Sequence, residues 1–275
     1  MGQVEVLLAT VHRNNHQFIE DMHIQSDIVI ANQSDYYGQT IIQENGHTIM
    51  FITTSDRGVG KNRNLALSYS QANYCALADD DMVYSDGYET AIIRAFEETP
   101  QADILIFACN EIGGRADYRK ITKVKRVHIW NFGRYGTYRI VINRARWKKN
   151  PTFFSEVYGG GTIYCAGEDT LFLRECLKKG MKIYTYPYCL ATVNQNISTW
   201  FRGYNEKYFY DKGALLAEAF PIMKYCLALY YTFSFRQLTS LSCWQVISYM
   251  FSGIKNSRYQ LSYDDISQHG GKENS

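Results

Sequence analysis

The sequence predicts an α/β fold: a mostly parallel sheet flanked by helices, with a helical appendage at its C-terminal end. Three observations predict it. Short apolar runs alternate with segments of helical periodicity through about residue 110, the pattern of a parallel sheet covered on both faces. The chain has 275 residues, 46% of them hydrophobic and 20% charged, which is enough for one large domain with a substantial core and an appendage. From residue 199 onward the texture changes to Tyr- and Phe-rich helix.

Element by element, residues 4–9 read as a first strand, 16–22 as a helix, 26–31 as a second strand and 48–53 as a third. Residues 61–70 have helical spacing and 74–78 form a buried strand. Residues 87–98 make an amphipathic helix that Pro100 stops. A strand over 104–108 closes the series. The middle is less regular. A strand is expected at 138–142, and residues 155–161 end in three glycines. A helix over 168–179 places Leu171, Phe172, Cys176 and Leu177 on one side and stops at Gly180. A short strand at 183–186 ends at Pro187. The chain therefore divides into an α/β domain over 1–198, a helical region over 199–264 and a disordered tail over 265–275.

Composition removes several classes of function. A net charge of +2 with no Lys/Arg run excludes a general nucleic-acid binder. Seven scattered cysteines without a C-x-x-C pair point away from a disulfide framework or zinc cage and towards a reducing, cytoplasmic setting. The opening MGQVEVLLATVHR is a first strand with no basic flank, not a signal peptide. Val6 stands where a myristoylation signal wants Ser or Thr. The longest apolar stretch, 226–235, falls short of the ~20 residues of a membrane span. The chain is expected to be soluble, or peripheral on the cytoplasmic membrane.

Three motifs carry chemistry. Asp79-Asp80-Asp81 directly follow a strand, where ligands of open α/β sheets sit. Adjacent carboxylates repel, and a hard divalent cation such as Mg²⁺ or Mn²⁺ offsets that repulsion and bridges to phosphates. An acidic turn or helix cap reads the same residues without a metal. The stretch Ser55-Asp56-Arg57-Gly58-Val59-Gly60-Lys61-Asn62-Arg63-Asn64 leads into a helix, with glycines for close backbone approach and cations suited to a diphosphate. A basic surface turn is the bland alternative. Gly159-Gly160-Gly161, followed by Gly167-Glu168-Asp169-Thr170, sets carboxylates at a helix start. They serve there as dipole complements or as a general base on a rigid element.

Together these stretches resemble the family-2 glycosyltransferases of GT-A fold, including bacterial capsule and exopolysaccharide enzymes. The resemblance rests on ATVHR at 9–13, IANQSD at 30–35, SDRGVGKNRNLAL at 55–67, ALADDDMVYSDGY at 76–88, GEDTLFLRECLKKG at 167–180 and STWFRGYNEKYFYDKGA at 198–214. It implies that Thr10, Arg13, Asn32 and Gln33 floor the nucleoside site. Arg57 and Arg63 would face the base or diphosphate, and Asp79 and Asp80 would contact the donor. Asp81 would bind Mn²⁺ or Mg²⁺. Asp169 would be the base, with Glu168 as its companion in the catalytic pair. Many relatives carry a metal-binding histidine after the last core strand, whereas this chain reads Ala191-Thr192-Val193-Asn194-Gln195. The metal would then have fewer protein ligands.

The implied reaction is inverting transfer of a sugar from a nucleoside-diphosphate donor, UDP-linked, to a saccharide or lipid-linked acceptor in surface polysaccharide synthesis. A sugar nucleotidyltransferase is the enzymatic rival, but it wants a glycine-rich basic loop after the first strand, where TVHRNNH stands. A non-catalytic glycan-binding or membrane-associated relative is the other. The aromatic C-terminal region is expected to pack partly on the core and partly against the cytoplasmic membrane surface, or else to be buried against the catalytic domain or a second copy in a homodimer.

Overall fold

The structure, a computed structural model, describes residues 2–113, 120–194 and 203–270. Arg119, Gln195 and the STWFR run at 198–202 lie outside the described residues.

Strand β1 (Val4–Val11) is central, flanked in parallel by β2 (Asp27–Gln33) and β5 (Tyr74–Asp79). Strand β4 (His47–Thr54) lies parallel outside β2. Beyond β5 the ten-stranded sheet continues through β9 (Ile140–Asn143), β7 (Ile104–Ile112), β10 (Ile183–Asn194) and β6 (Met82–Tyr84). At the other edge β3 (Gly38–Glu44) pairs with β4, and β8 (Lys125–Arg126) pairs off the path with β10. Strands β1, β2, β4, β5, β7 and β10 share one direction, and β3, β6, β8 and β9 oppose it.

Burial on both faces explains why β1 and β2 read as unbroken apolar runs instead of alternating ones. Leu7 of β1 packs on one face with Val29, Leu77 and Ile106. Its neighbours Val6 and Leu8 pack on the other with Ile30, Ala78 and Leu105. The first face is covered by α2 (Val59–Tyr69) and α5 (Glu168–Lys178), the second by α3 (Tyr88–Glu98). Helix α5 stops at Gly180 (φ +81), where the Gly180 N–H donates to Leu177 O and the Met181 N–H to Cys176 O.

Several elements differ from the sequence expectation for identifiable reasons. The β3–β4 hairpin turns on Asn45 (φ +50) and Gly46 (φ +82), the paired positive φ of a tight two-residue hairpin. The first helix, α1, shrinks to Phe18–Asp21, and an unforeseen α4 spans Arg144–Lys149. Strand β10 does not end at Pro187 but passes it, with register breaks between Tyr186 and Cys189 and between Cys189 and Thr192. Those irregularities leave proline without a ladder bond to make. The tail expected to be disordered from 265 is helical as far as Gly270, in α9 (Tyr263–Gly270). Ser262 and Asp265 cap that helix reciprocally, and Tyr263 and Ile266 pack on the main core.

The C-terminal region is α6 (Glu206–Ala219), α7 (Lys224–Phe235), α8 (Cys243–Asn256) and α9. Helix α6 belongs to two cores. Tyr210, Ala214 and Leu215 join the sheet core, while Phe209 and Leu216 join a small cluster with Ala228, Val246 and Met250. Helices α6 and α8 touch backbone to backbone. A Cβ at Gly213 would stand 2.0 Å from Met250 O, and one at Gly253 would stand 2.0 Å from Tyr210 O. Alanine at Gly253 must push the helices apart, so Gly253→Ala is expected to cost at least about 1–3 kcal/mol. Thermal unfolding of this variant checks the contact; an unchanged midpoint contradicts it.

Candidate active site

Parallel strands end together, and their carboxyl ends assemble the site. Register pairs Thr10 with Asn32, Asn32 with Thr53, and Ala9 with Asp79. The Asp79–Asp81 turn therefore lies directly beside the end of β1. The end of β10 closes the other side, with the Asn194 N–H donating to Asp81 O at 3.0 Å.

Arg63 sits at the middle of this cluster. It belongs to the inward face of α2, with Gly60, Asn62, Ala66 and Leu67, and its side chain is 5% exposed. Its guanidinium forks between two carboxylates, donating from Nη2 to Asp79 Oδ1 at 2.6 Å and from Nη1 to Glu168 Oε1 at 2.7 Å. The ring of Phe154 lies 5.6 Å from its guanidinium carbon. A planar fork suits two acceptors in a way that an ammonium does not. The sequence reading had Arg63 facing a base or diphosphate. Instead it ties the β5 aspartates to the start of α5. Glu168, placed in the catalytic pair by that reading, is the partner of this buried cation.

The residues expected to floor the nucleoside site are tied to one another at the strand ends. Asn32 is fully buried; its amide donates to Arg13 O and Thr53 Oγ1, and its carbonyl accepts from the Arg13 N–H. Gln33 is buried and accepts from the Gly58 N–H at 3.2 Å. Thr10 and Arg13 both donate to Asp80 Oδ2, at 2.6 and 3.0 Å, so Asp80 is stitched to the end of β1. Arg13 and Arg57 stay accessible, their side chains 41% and 48% exposed, and Arg57 donates to Ser34 O and pairs with Asp35. Asn62, which the sequence reading passed over, is buried and bridges Thr10 O and Ala31 O. An amide in the first turn of a helix packed on two strands was its only signal.

The glycines do structural work. A Cβ on Gly60 would lie 2.0 Å from Ser155 O, so this position lets α2 meet the 154–155 backbone. The Val59 N–H donates to Gly160 O at 3.0 Å. The first amide of α2 is therefore committed to a protein partner. Gly159 (φ +110) makes room for Val59 and the Glu168 carboxylate.

Two carboxylates of the cluster have no salt-bridge partner among the described residues. Asp81 Oδ1 is buried and has no hydrogen-bond partner among the described residues. Burial, with Asp79 and Asp80 beside it, raises its pKa from 3.8 to about 6. An orphaned buried carboxylate oxygen next to two further acids fits a divalent cation, which supplies the missing positive charge. Among the described residues no three His, Cys, Asp or Glu side chains converge as a ready-made cage, so Asp81 would share the ion with non-protein oxygens. Asp169 is the second. Its Oδ1 accepts from the Thr170 N–H at 2.6 Å, and burial together with the neighbouring Glu168 charge raises its pKa.

The profile of glycosyl transferase family 2 matches residues 4–180, and the chain belongs to that family. No curated protein matches the chain. Among solved structures, residues 1–349 of S. aureus TarS in complex with UDP align at a TM-score of 0.56 and 15% identity, over 85% of this chain and 72% of that one. A second structure of S. aureus TarS aligns over 96% of this chain but 45% of that one, at a TM-score of 0.54 and 14% identity. The mannosyltransferase PcManGT of Pyrobaculum calidifontis, in complex with GDP-Man and Mn²⁺, aligns at 0.54 and 12% identity, over 94% and 87%. At such identities the likeness establishes a shared GT-A fold.

Removing the fork leaves two carboxylates facing each other without a cation. Arg63→Leu is expected to lose about 3 kcal/mol, the low end for a broken buried pair because Asp79 keeps some contact with solvent. Arg63→Lys keeps the charge but cannot reach both acids, and should fall between. Urea unfolding checks both; a wild-type midpoint for Arg63→Leu contradicts the assignment.

Proposed function

We propose that the chain is an inverting, metal-dependent glycosyltransferase that moves a sugar from a nucleoside-diphosphate donor, UDP-linked, to a saccharide or lipid-linked acceptor in surface polysaccharide synthesis of the capsule or exopolysaccharide type. One observation carries the reading. Arg63 neutralises Asp79 and Glu168, while Asp81 beyond the end of β5 and Asp169 at the start of α5 remain as carboxylates with raised proton affinity. Groups whose environments separate their roles in this way mark acid–base and electrostatic assignments. The UDP and GDP-Man complexes of the structural neighbours support a nucleoside-diphosphate donor.

Asp169 accepts the proton of the acceptor hydroxyl while that oxygen attacks the anomeric carbon. The bond from the anomeric carbon to the diphosphate breaks on the opposite side, its electron pair leaves with the diphosphate, and configuration inverts. A carboxylate with raised proton affinity is a stronger base for this task than an ordinary surface aspartate. Asp81 would hold Mn²⁺ or Mg²⁺, which when bound supplies positive charge near the leaving diphosphate. Asp79 and Asp80, anchored by Arg63 and by Thr10 and Arg13, flank the donor. Arg13 and Arg57 are the accessible cations at its rim.

The base assignment predicts that Asp169→Asn loses about 10²–10⁴ in kcat, as general-base contributions do, with donor affinity nearly unchanged. Steady-state kinetics beside calorimetric donor titration checks it; equal loss of binding and turnover would make Asp169 a helix cap. The metal assignment predicts that chelator abolishes turnover and that Asp81→Asn weakens Mn²⁺ binding. The Asp81 proton competes with the cation below about pH 6. Mn²⁺ affinity, measured calorimetrically without substrate, should therefore fall as pH drops through that value in wild type and stay flat in Asp81→Asn. A flat wild-type profile contradicts the role.

A further inference from the structure

Helices α7 and α8 present an apolar face that no described residue covers. Helix α7 buries only Ala228 and Thr232 fully and leaves Tyr225, Leu229, Tyr230 and Phe233 exposed. Tyr230 and Phe233 are 63% and 61% exposed. Helix α8 continues the patch along the stripe Trp244, Ser248, Phe251 and Lys255, with Trp244 82% exposed. The two helices join through an edge-on contact between Tyr225 and Phe251, with ring centroids 5.1 Å apart. A helix this apolar on all sides is normally buried, and a continuous exposed patch of this kind marks an interaction surface.

The charges around the patch identify what covers it. Between Glu218 and Asp264 the sequence contains four basic residues, Lys224, Arg236, Lys255 and Arg258, and no acidic one, in a chain whose net charge is +2. Two of these cations lie against aromatic rings: Lys224 Nζ is 5.4 Å from the Tyr225 ring, and the Arg258 guanidinium carbon is 4.5 Å from the exposed Tyr259 ring. Lys255 follows Phe251 by one helical turn. A second copy meeting this face across a twofold axis would set like charges against each other. A bilayer with anionic headgroups instead offers acyl chains to Phe233 and Leu229, an interfacial zone to Trp and Tyr, and negative charge to the basic rim. Helix α7, 12 residues and so about 18 Å long, is too short to cross the bilayer and would lie in its plane.

We infer that the α7–α8 face docks the protein onto an anionic lipid surface, with α7 parallel to the membrane plane. The link to the site runs through α6, whose Leu215 packs where a Cβ on Gly167, just before Asp169, would be. Only the consequence that a lipid-linked acceptor arrives at Asp169 rests on the proposed reaction; docking itself needs no turnover.

The test is flotation of the full chain with vesicles of pure phosphatidylcholine and of an equimolar phosphatidylcholine–phosphatidylglycerol mixture, at low and high salt. Binding to the mixed vesicles that weakens with salt, and little binding to the neutral ones, is expected. Lys255→Ala and Arg258→Ala should each weaken partition about fivefold, the equivalent of ~1 kcal/mol per basic residue near the surface. The exposed double variant Phe233→Ser with Trp244→Ser should abolish binding and leave the far-ultraviolet circular dichroism spectrum unchanged. Absence of binding to mixed vesicles at low salt overturns the inference. So does sedimentation equilibrium showing a stable dimer that the double variant dissolves, since a second copy would then own the face.

Discussion

The arrangement of the site depends on one buried guanidinium. Arg63 lies at the interior of the molecule between the end of β5 and the start of α5, and its fork brings together two acids far apart in sequence, Asp79 and Glu168. Five carboxylates, Asp79, Asp80, Asp81, Glu168 and Asp169, would repel one another and pull the strand end away from the helix. By pairing with two of them, Arg63 holds these elements together. The neighbours Glu168 and Asp169 therefore acquire different roles from one helical start: one side chain faces the guanidinium and the next does not.

Around that fork the floor is made of polar groups that satisfy one another. Asn32 holds the Arg13 backbone, Gln33 holds the Gly58 amide, Asn62 links β1 to β2, and Asp80 is drawn to Thr10 and Arg13. Such a network is stiff because leaving any one member unpaired costs its full desolvation. Asp81 is the exception, with a buried oxygen that no described residue satisfies. A buried acid oxygen without a partner is where an added cation gains most.

Much of this was legible in the residues. The β1, β2, β4 and β5 runs are apolar because both faces are covered, and the triplet at 79–81 announces itself by three like charges after a strand. Less legible was orientation. Arg57, Lys61 and Arg63 are cations in one short stretch, and only helical phase separates them: Arg63 shares the buried side with Asn62, Ala66 and Leu67. Gly60 looked like space for a phosphate and is space for Ser155 O. The Asn45-Gly46 turn was readable as a hairpin signal and was passed over, whereas β10 ran past Pro187 because its bulges excuse the missing amide.

The division of labour between adjacent carboxylates is the central claim, and Glu168→Gln tests it most directly. Kinetics with saturating donor, run beside urea unfolding, should show a turnover close to wild type in the folded fraction together with a lowered unfolding midpoint, because Glu168 serves the Arg63 fork. A collapse in kcat with an unchanged midpoint would contradict the account and make Glu168 the group that takes the proton.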